Sequence, residues 1–358
     1  MKSLIELRKT LKQKVLGQDK SIDKFCTIYY KYLIKKYAPD FACEFNSSTI
    51  CLFIGNSGVG KTYLVREAAK IFNIPIIELN SKAICQEGWS GKSFLNLIEE
   101  ECIKLNSSIQ KIDFNRIIIF IDEFDKFVTP IYSSGSENIS RTLQSTILKY
   151  VEGMNVNFKE LKIQVNTKEW MFVFAGAFQD LKIKKNQSIG FNQSKQSEEI
   201  LLKDLENYGM LPELLGRIQE IIEFDEVTRK TYTKILNSEF FVLNQWIELL
   251  RRLDIKFLVP KEDLIDKAIQ SDLGIRGLIQ EVEYLITQQI LKNAELIDLN
   301  KFSRTESLKE ERKSILDLKK AQLIENLIIE SRKVLEKLSI TRLEELDINP
   351  VVDDNYDN

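Results

Sequence analysis

The chain has 358 residues, a net charge of −2 from 51 basic and 53 acidic side chains, 44% hydrophobic residues and no histidine. This length allows two packed domains, because single cores stop growing at about 250–300 residues. The balanced charge disfavours a protein that binds mainly by neutralising nucleic-acid phosphates. The lack of histidine excludes a Ser-His-Asp triad, an imidazole base and a histidine-ligated metal.

The cysteines and the apolar runs indicate a cytoplasmic protein. The five cysteines form no CxxC pair and are expected to be free, buried thiols in a reducing compartment. The longest apolar runs, residues 117–121 and 170–175, are too short to cross a bilayer, and the first residues lack the apolar stretch of a secretory signal. We therefore expect no membrane association.

The first part of the chain alternates strand-like and helix-like patterns. Strands are predicted at residues 50–54, 74–79, 116–121, 170–175 and 220–224. The run IIIFI is apolar at consecutive positions, which is typical of a parallel strand covered by helices on both faces. The pattern predicts an α/β domain with a five-stranded parallel sheet over residues 1–224, preceded by a helical lead-in.

A phosphate-binding loop follows the first strand and precedes a helical run. The sequence GNSGVGKT satisfies GxxxxGK[ST] in the strand-loop-helix context that the motif requires. Lys61 is expected to reach the β- and γ-phosphates, and the Thr62 hydroxyl to ligate Mg²⁺. The residues predicted to bind nucleotide here are Gly55, Asn56, Ser57, Gly58, Val59, Gly60, Lys61, Thr62 and Tyr63.

The third strand brings two acidic residues to its carboxyl end, where ligands bind in open α/β sheets. In IIIFIDEFDK, Asp122 is predicted to hold Mg²⁺ and Glu123 to polarise the attacking water. Asp125 and Lys126 are expected to form a surface pair. Together with the phosphate-binding loop, these carboxylates predict an ATPase with its own water-activating residue.

The remainder of the chain is predominantly helical in pattern. Helices are predicted at residues 231–253, 261–271 and 275–291, which gives a small helical domain over residues 225–298. Residues 299–358 form a charged, helical C-terminal extension with a narrow leucine stripe. Such a stripe packs on its own protein or in a coiled coil with a partner.

With these motifs in order, the chain resembles the AAA+ superfamily and, within it, the ClpX unfoldases over about residues 15–291. VLGQDKSID is similar to the family segment that contacts adenine, which assigns Val15 and Leu16 to that pocket. YGMLPELLGRI resembles the segment that ends in the arginine finger, which implies that Arg217 serves a neighbouring subunit's nucleotide. LGIRGLIQEVE resembles the second sensor, which implies that Arg276 contacts nucleotide. The strand end at residues 175–178 offers no polar side chain for the first sensor.

Two further segments resemble parts of ClpX that handle protein. The pore loop is matched by Gly88, Trp89, Ser90 and Gly91, with tryptophan as the aromatic residue and serine at the usual aliphatic position. Ile189, Gly190 and Phe191 are similar to the motif that docks ClpX on its peptidase. Residues 154–169 lack the basic pore-entrance cluster of ClpX, and no cysteine cluster marks its N-terminal zinc-binding domain.

The resemblance implies a homohexamer that uses ATP and Mg²⁺ to thread protein substrates into a ClpP-like peptidase. The residues leave three alternatives open. The chain could remodel protein complexes without a peptidase, could be a nucleic-acid motor, which the balanced charge disfavours, or could be a scaffold gated by nucleotide, which Glu123 and Arg217 disfavour.

Overall fold

The computed structural model describes residues 3–37, 49–81, 84, 94–108, 112–130, 138–179, 181, 202–239, 241, 243–244, 247, 251 and 259–292. The chain divides into two compact units, one of residues 1–250 with 256–287 and one of residues 251–255 with 288–358. All of the sheet and the cleft discussed below lie in the first unit. Of the second unit, the described part is Arg251 and residues 288–292.

The first unit begins with helices and continues as an α/β alternation. Its helices are α1 (Leu4–Lys14), α2 (Asp19–Tyr37), α3 (Lys61–Phe72), α4 (Phe94–Ser108), α5 (Phe124–Val128), α6 (Ile139–Glu152), α7 (Leu202–Tyr208), α8 (Pro212–Leu215), α9 (Arg229–Leu236), α10 (Lys261–Gln270) and α11 (Ile275–Lys292), the last of which runs past the end of the unit. Its strands are β1 (Thr49–Ile54), β2 (Ile76–Asn80), β3 (Ile118–Asp122), β4 (Asn155–Phe158), β5 (Ile163–Asn166), β6 (Met171–Gly176) and β7 (Glu220–Glu223). Within the described residues, no helix combines the length and hydropathy that a membrane span requires.

Five strands form a parallel sheet in the order β2-β3-β6-β1-β7. The predicted five-stranded parallel sheet is therefore confirmed. Strand β1 pairs with β6 on one side and β7 on the other, so that Ile54 lies beside both Gly176 and Glu223. The loops after β1, β3 and β6 consequently leave the sheet at the same edge.

Each face of the sheet carries its own apolar core, because successive residues of a strand point to opposite faces. Ile50, Leu52 and Ile54 of β1 pack in the cluster that includes buried residues of α4, α5 and α6. Cys51 and Phe53 pack in the other cluster, with α1, α2 and α3. Burial on both sides explains why these strands read as continuous apolar runs.

The described cysteines are buried thiols. Cys26, Cys51 and Cys102 are free and inaccessible. Burial raises the pKa of Cys26 and of Cys102 to about 12, which leaves both thiols protonated and unreactive at neutral pH.

A β-hairpin occupies the segment that lacks the basic cluster. Strands β4 and β5 pair antiparallel, with Val156 opposite Val165 on the buried face and Asn157 opposite Gln164 on the exposed face. The turn is fixed by Glu99 of α4, whose side chain is 7% exposed and accepts hydrogen bonds from the backbone N–H groups of Glu160 (2.6 Å) and Leu161 (3.3 Å). The hairpin is thereby attached to the helix that follows the Gly-Trp-Ser-Gly segment.

The helix predicted at residues 231–253 ends early. Helix α9 stops at Leu236, and Asn237 caps it with its backbone N–H bonded to Thr233 and Ile235. The chain then turns, with Ser238 accepting a backbone hydrogen bond from Phe241 at 3.0 Å. The predicted helices at 261–271 and 275–291 correspond to α10 and α11.

Candidate active site

A cleft of about 690 Å³ lies at the sheet edge where β1, β3 and β6 end, a volume in the range of small-molecule sites. Its lining combines the phosphate-binding loop, the acidic pair after β3, the end of β6, the segment before α2 and parts of α9 and α11. The lining residues used below are Val15, Leu16, Ser57, Gly58, Gly60, Lys61, Thr62, Tyr63, Asp122, Glu123, Asp125, Lys126, Ala177, Gln179, Ile235, Ser238, Phe241, Arg276 and Ile279.

The phosphate-binding loop arches around its own lysine. Lys61 is 8% exposed, and its Nζ donates hydrogen bonds to the backbone oxygens of Gly55 (2.6 Å) and Asn56 (2.9 Å). Gly60, in the left-handed region at φ 103°, caps the first turn of α3 without a side chain. The N-terminus of α3 therefore presents backbone N–H groups and its positive dipole end at the loop, which suits an anion.

The remaining predicted loop residues support the arch or line the cleft. Gly55 donates its backbone N–H to Gly176 at 3.1 Å, and the Asn56 amide donates to Glu226 at 3.2 Å. Val59 is buried in the core beneath the loop. Thr62 and Tyr63 line the cleft, and the partial burial of Tyr63, followed by the charge of Glu67, raises the pKa of its phenol.

The segment that begins α11 lies directly on the phosphate-binding loop. Ile275 donates its backbone N–H to the Gly58 oxygen at 3.0 Å, and Arg276 Nη1 donates to Ser57 Oγ at 2.9 Å. Gly58 has a φ of 75°, and a Cβ built on it would stand 2.1 Å from the Leu273 carbonyl oxygen. The contact thus requires glycine at position 58, and it brings Arg276 into the cleft.

The acidic pair lies where β3 gives way to α5. The Asp122 carboxylate accepts a hydrogen bond from the backbone N–H of Glu123 at 2.8 Å, which orients it toward the cleft. Glu123 has a left-handed backbone with φ 55°, a conformation that is uncommon outside glycine and recurs at active sites. Asp122 and Glu123 line the same cleft as Lys61, Thr62 and Arg276.

The interpretation of Asp125 and Lys126 as a surface pair needs correction in one respect. Lys126 is exposed, but its Nζ forms an ion pair with the Glu123 carboxylate at 3.1 Å, and both residues line the cleft. Asp125 lies against the end of β6, since a Cβ built on Gly176 would meet its Oδ1 at 2.8 Å. Both residues belong to the first turn of the five-residue helix α5.

Two amides in this region were not identified from sequence. Gln179 lies three residues beyond β6 and lines the cleft. It places a polar side chain next to residues 175–178, none of which has one. Gln18 is 2% exposed, donates to the Asp225 oxygen at 2.8 Å and accepts from the Asp225 N–H at 2.9 Å. Gln18 also donates to the Val59 oxygen at 3.4 Å, so one side chain joins the segment before α2, the phosphate-binding loop and the residues just after β7.

Val15 and Leu16 line the cleft, as do apolar residues from α9 and α11. Val15 is 5% exposed and stands close to Gly60, since a Cβ on Gly60 would be 3.7 Å from Val15 Cγ1. Ile235, Phe241 and Ile279 complete an apolar region of the cleft wall. A planar apolar ligand group fits this region, whereas anionic groups fit the loop and the lysine.

Arg217 lies outside this cleft. Its side chain is 52% exposed and donates from Nη2 to Glu152 Oε1 at 2.8 Å. The residue is two positions before Gln219, whose backbone N–H bonds to Ile50 of β1. Arg217 is therefore accessible from outside the subunit and is fixed close to β1.

The remaining predicted residues lie outside the described part of the chain. These are Gly88, Trp89, Ser90 and Gly91 of the pore-loop segment and Ile189, Gly190 and Phe191 of the docking segment. Residues 299–358, the predicted C-terminal extension, also lie outside it.

Residues 46–221 match the family model described as an AAA domain of the Cdc48 subfamily. This range contains strands β1, β2, β3 and β6 of the parallel sheet, the first half of β7, the phosphate-binding loop and the acidic pair.

Curated relatives match beyond that range. The chain is 28% identical over 323 residues to the ATP-dependent Clp protease ATP-binding subunit ClpX of Bacteroides thetaiotaomicron, covering 79% of this chain and 75% of the relative. It is 28% identical over 301 residues to ClpX 2 of Wolinella succinogenes, with 78% and 75% covered. The ClpX of Borrelia duttonii is 26% identical over 317 residues, with 78% and 72% covered. These matches confirm the resemblance to ClpX and the AAA+ ATPase fold.

Proposed function

We propose that this chain, an AAA+ ATPase that resembles ClpX, is a protein unfoldase that works as a homohexamer with ATP and Mg²⁺. The observation that carries the proposal is the joining of three chemical features in one cleft. A phosphate-binding loop with Lys61, an acidic pair at Asp122 and Glu123, and Arg276 from the start of α11 line the same space.

Each group in the cleft has a task in phosphoryl transfer, which depends mainly on positioning and charge stabilisation. The loop amides and Lys61 bind the β- and γ-phosphates, and Arg276 adds a positive charge next to Ser57. Thr62 and Asp122 are the hydroxyl and carboxylate that would hold Mg²⁺, which neutralises phosphate charge when bound. Glu123 takes the role of base toward the attacking water, and its left-handed backbone sets the direction of its side chain.

Arg217 is assigned the arginine finger of a neighbouring subunit. Its exposed side chain and its position outside the cleft of its own subunit support this role. In that arrangement each nucleotide lies between two protomers, so hydrolysis requires an assembled ring. Glu152, its present partner, is half exposed and holds the guanidinium only weakly.

The mechanical output is assigned to the segments that resemble those of ClpX. Trp89, between Gly88 and Gly91, grips an unfolded polypeptide by apolar contact while the glycines let the loop move. Ile189 and Phe191 dock the ring on a ClpP-like peptidase, with several copies adding avidity. The functional division is residues 1–224 for the large ATPase domain, 225–298 for the small domain and 299–358 for a charged helical extension.

The first experiment separates binding from hydrolysis. Glu123→Gln should retain ATP and assemble rings, with turnover reduced by at least about 100-fold, the scale of losing a general base. Turnover is measured as the release of phosphate from ATP, and ring assembly as light scattering in the presence of ATP and Mg²⁺. A variant that hydrolyses ATP at the wild-type rate would falsify the role of Glu123, and a wild-type protein that stays monomeric would remove the ring.

The second experiment tests the mechanical step. Trp89→Ala should hydrolyse ATP normally and fail to unfold a tagged fluorescent substrate, while deletion of residues 189–191 should abolish peptidase-dependent degradation and spare unfolding. Unfolding that persists without any peptidase binding in the wild type would favour the remodelling function. Hydrolysis stimulated by DNA would favour the nucleic-acid motor.

A further inference from the structure

The chain after α9 forms part of the cleft wall. Ser238 and Phe241 from this connection both line the cleft, near Ile235 of α9 and Ile279 of α11. Phe241 is 9% exposed, so its aromatic ring is largely packed yet still reaches the cleft surface. This is the apolar region of the wall, which suits a nucleobase better than a phosphate.

Asn244 holds this connection in place with its side chain. Its Nδ2 donates to the Ser238 oxygen at 2.7 Å and to the Leu236 oxygen at 3.1 Å. Its backbone N–H bonds to the Phe241 oxygen at 3.1 Å. One half-buried asparagine thus closes the turn that begins where α9 ends and returns after Phe241, and it does so without lining the cleft itself.

The Asn244 amide binds one carbonyl at the end of α9 and one in the connection that follows it. Helix α9 ends at Leu236, whose oxygen is among the last carbonyls of the helix. The same amide fixes Ser238 two residues later. Without the amide, the turn loses both of these hydrogen bonds, and the orientation of Ser238 and Phe241 toward the cleft loosens.

We propose that Asn244 is a positioning residue for the nucleobase of ATP, acting through Ser238 and Phe241. An aromatic ring and a hydroxyl held at the apolar wall provide a stacking face and one polar contact for a planar heterocycle. The hydrogen bonds of the Asn244 amide go to the connection after α9, whereas those of Lys61 Nζ go to the phosphate-binding loop itself. Asn244 therefore affects the base and not the polyphosphate.

This inference rests on the proposed nucleotide site but not on unfolding activity. It is tested by comparing ADP with inorganic tripolyphosphate, which has the charges of a nucleotide and no base. Both are titrated calorimetrically into the full-length wild type and Asn244→Ala in the presence of Mg²⁺. ADP binding by the wild type tests the site, and the change in the ratio of the two affinities tests Asn244.

For Asn244→Ala, we expect ADP affinity to fall about tenfold, since two hydrogen bonds that order the base wall are lost. Tripolyphosphate affinity should stay within about twofold of the wild type. The matched control is Asn237→Ala in the same connection, because Asn237 accepts a hydrogen bond from exposed Lys261 at 2.7 Å and does not line the cleft. Both affinities should be unchanged in this control.

The isosteric variant Asn244→Asp guards against a folding defect, since it keeps the size of the side chain and removes both amide donors. It should show the same selective loss. Equal weakening of ADP and tripolyphosphate, or unchanged ADP affinity, would overturn the inference. Loss of the folded circular dichroism spectrum in both Asn244 variants would also overturn it, because it would assign Asn244 to folding alone.

Discussion

Replacing Gly58 with alanine tests the contact between the phosphate-binding loop and the start of α11. An alanine Cβ would stand 2.1 Å from the Leu273 carbonyl oxygen, whereas ordinary contacts begin at 3.4 Å, so the two segments must separate by about 1.3 Å (3.4 − 2.1). That displacement breaks the 3.0 Å bond from Ile275 to Gly58. It also moves Arg276 away from Ser57.

The cost has two parts. A left-handed backbone at φ 75° costs an alanine about 1–2 kcal/mol, and the broken backbone hydrogen bond about 0.5–1.5 kcal/mol. The exposed bond of Arg276 adds little. We therefore expect the free energy of unfolding to fall by about 1.5–3.5 kcal/mol. ATP affinity should fall with it because the loop and Arg276 both shift.

Urea unfolding followed by circular dichroism gives the stability change, and a fluorescent ATP analogue gives the affinity. The matched control is Gly216→Ala. Gly216 has a right-handed helical backbone with φ −63°, and the nearest atom to an added Cβ is 3.5 Å away. The control should match the wild type within about 0.5 kcal/mol. If Gly58→Ala behaves like this control, α11 does not pack on the loop in solution.

Three further variants test other contacts. Glu99→Ala leaves two backbone N–H groups of the hairpin turn without an acceptor and should cost about 1–3 kcal/mol in urea unfolding, with Glu99→Gln losing less. Burial raises the pKa of Glu67, but hydrogen bonds from Lys14 and Lys70 outweigh it and lower the pKa overall. The ionised Glu67 carboxylate therefore stabilises the fold at pH values above its unfolded pKa of about 4.3, and this contribution is lost as the pH falls through the lower folded pKa. The difference in melting temperature between the wild type and Glu67→Gln should accordingly become smaller in acid. Arg217→Ala should bind ATP normally yet lose turnover in assembled rings.

The strands and the nucleotide motifs could be predicted from sequence because their signals are local. A buried parallel strand is apolar at successive positions, and the five predicted strands begin and end within two residues of those observed. The phosphate-binding loop has a fixed spacing that needs only its flanking strand and helix. Asp122 and Glu123 follow directly from the end of their strand.

Contacts between distant residues could not be predicted in this way. Gln18 bonds to Asp225 across 207 residues, and nothing near Gln18 marks it as a buried link. The two charges of Asp125 and Lys126 favour a surface pair, whereas in three dimensions both residues line the cleft, Asp125 lies against the end of β6 and Lys126 pairs with Glu123. The hairpin of β4 and β5 has strands of four residues each, too short for alternation to stand out.

The helix predicted at residues 231–253 is interrupted after Leu236, although residues 243, 244, 247 and 251 are helical again, and the interruption has another cause. Its apolar spacing continues past Leu236, so periodicity alone extends it. The side chain of Asn244 instead binds the carbonyl groups that a longer helix would have used, and the chain turns. This competition between side-chain amide and backbone is invisible in a hydropathy pattern.

The hydrogen bonds that hold β7 suggest a way in which the nucleotide sites of neighbouring protomers could be coupled. Gln219 donates its backbone N–H to Ile50, β7 pairs with β1, and Asp225 forms two hydrogen bonds with Gln18. The segment that follows Arg217 is therefore held against β1 at both ends. If the protein forms a ring, the Arg217 guanidinium that reaches one protomer would move together with the phosphate-binding loop of its own protomer. A change at one nucleotide site would then alter the position of the arginine at the neighbouring site.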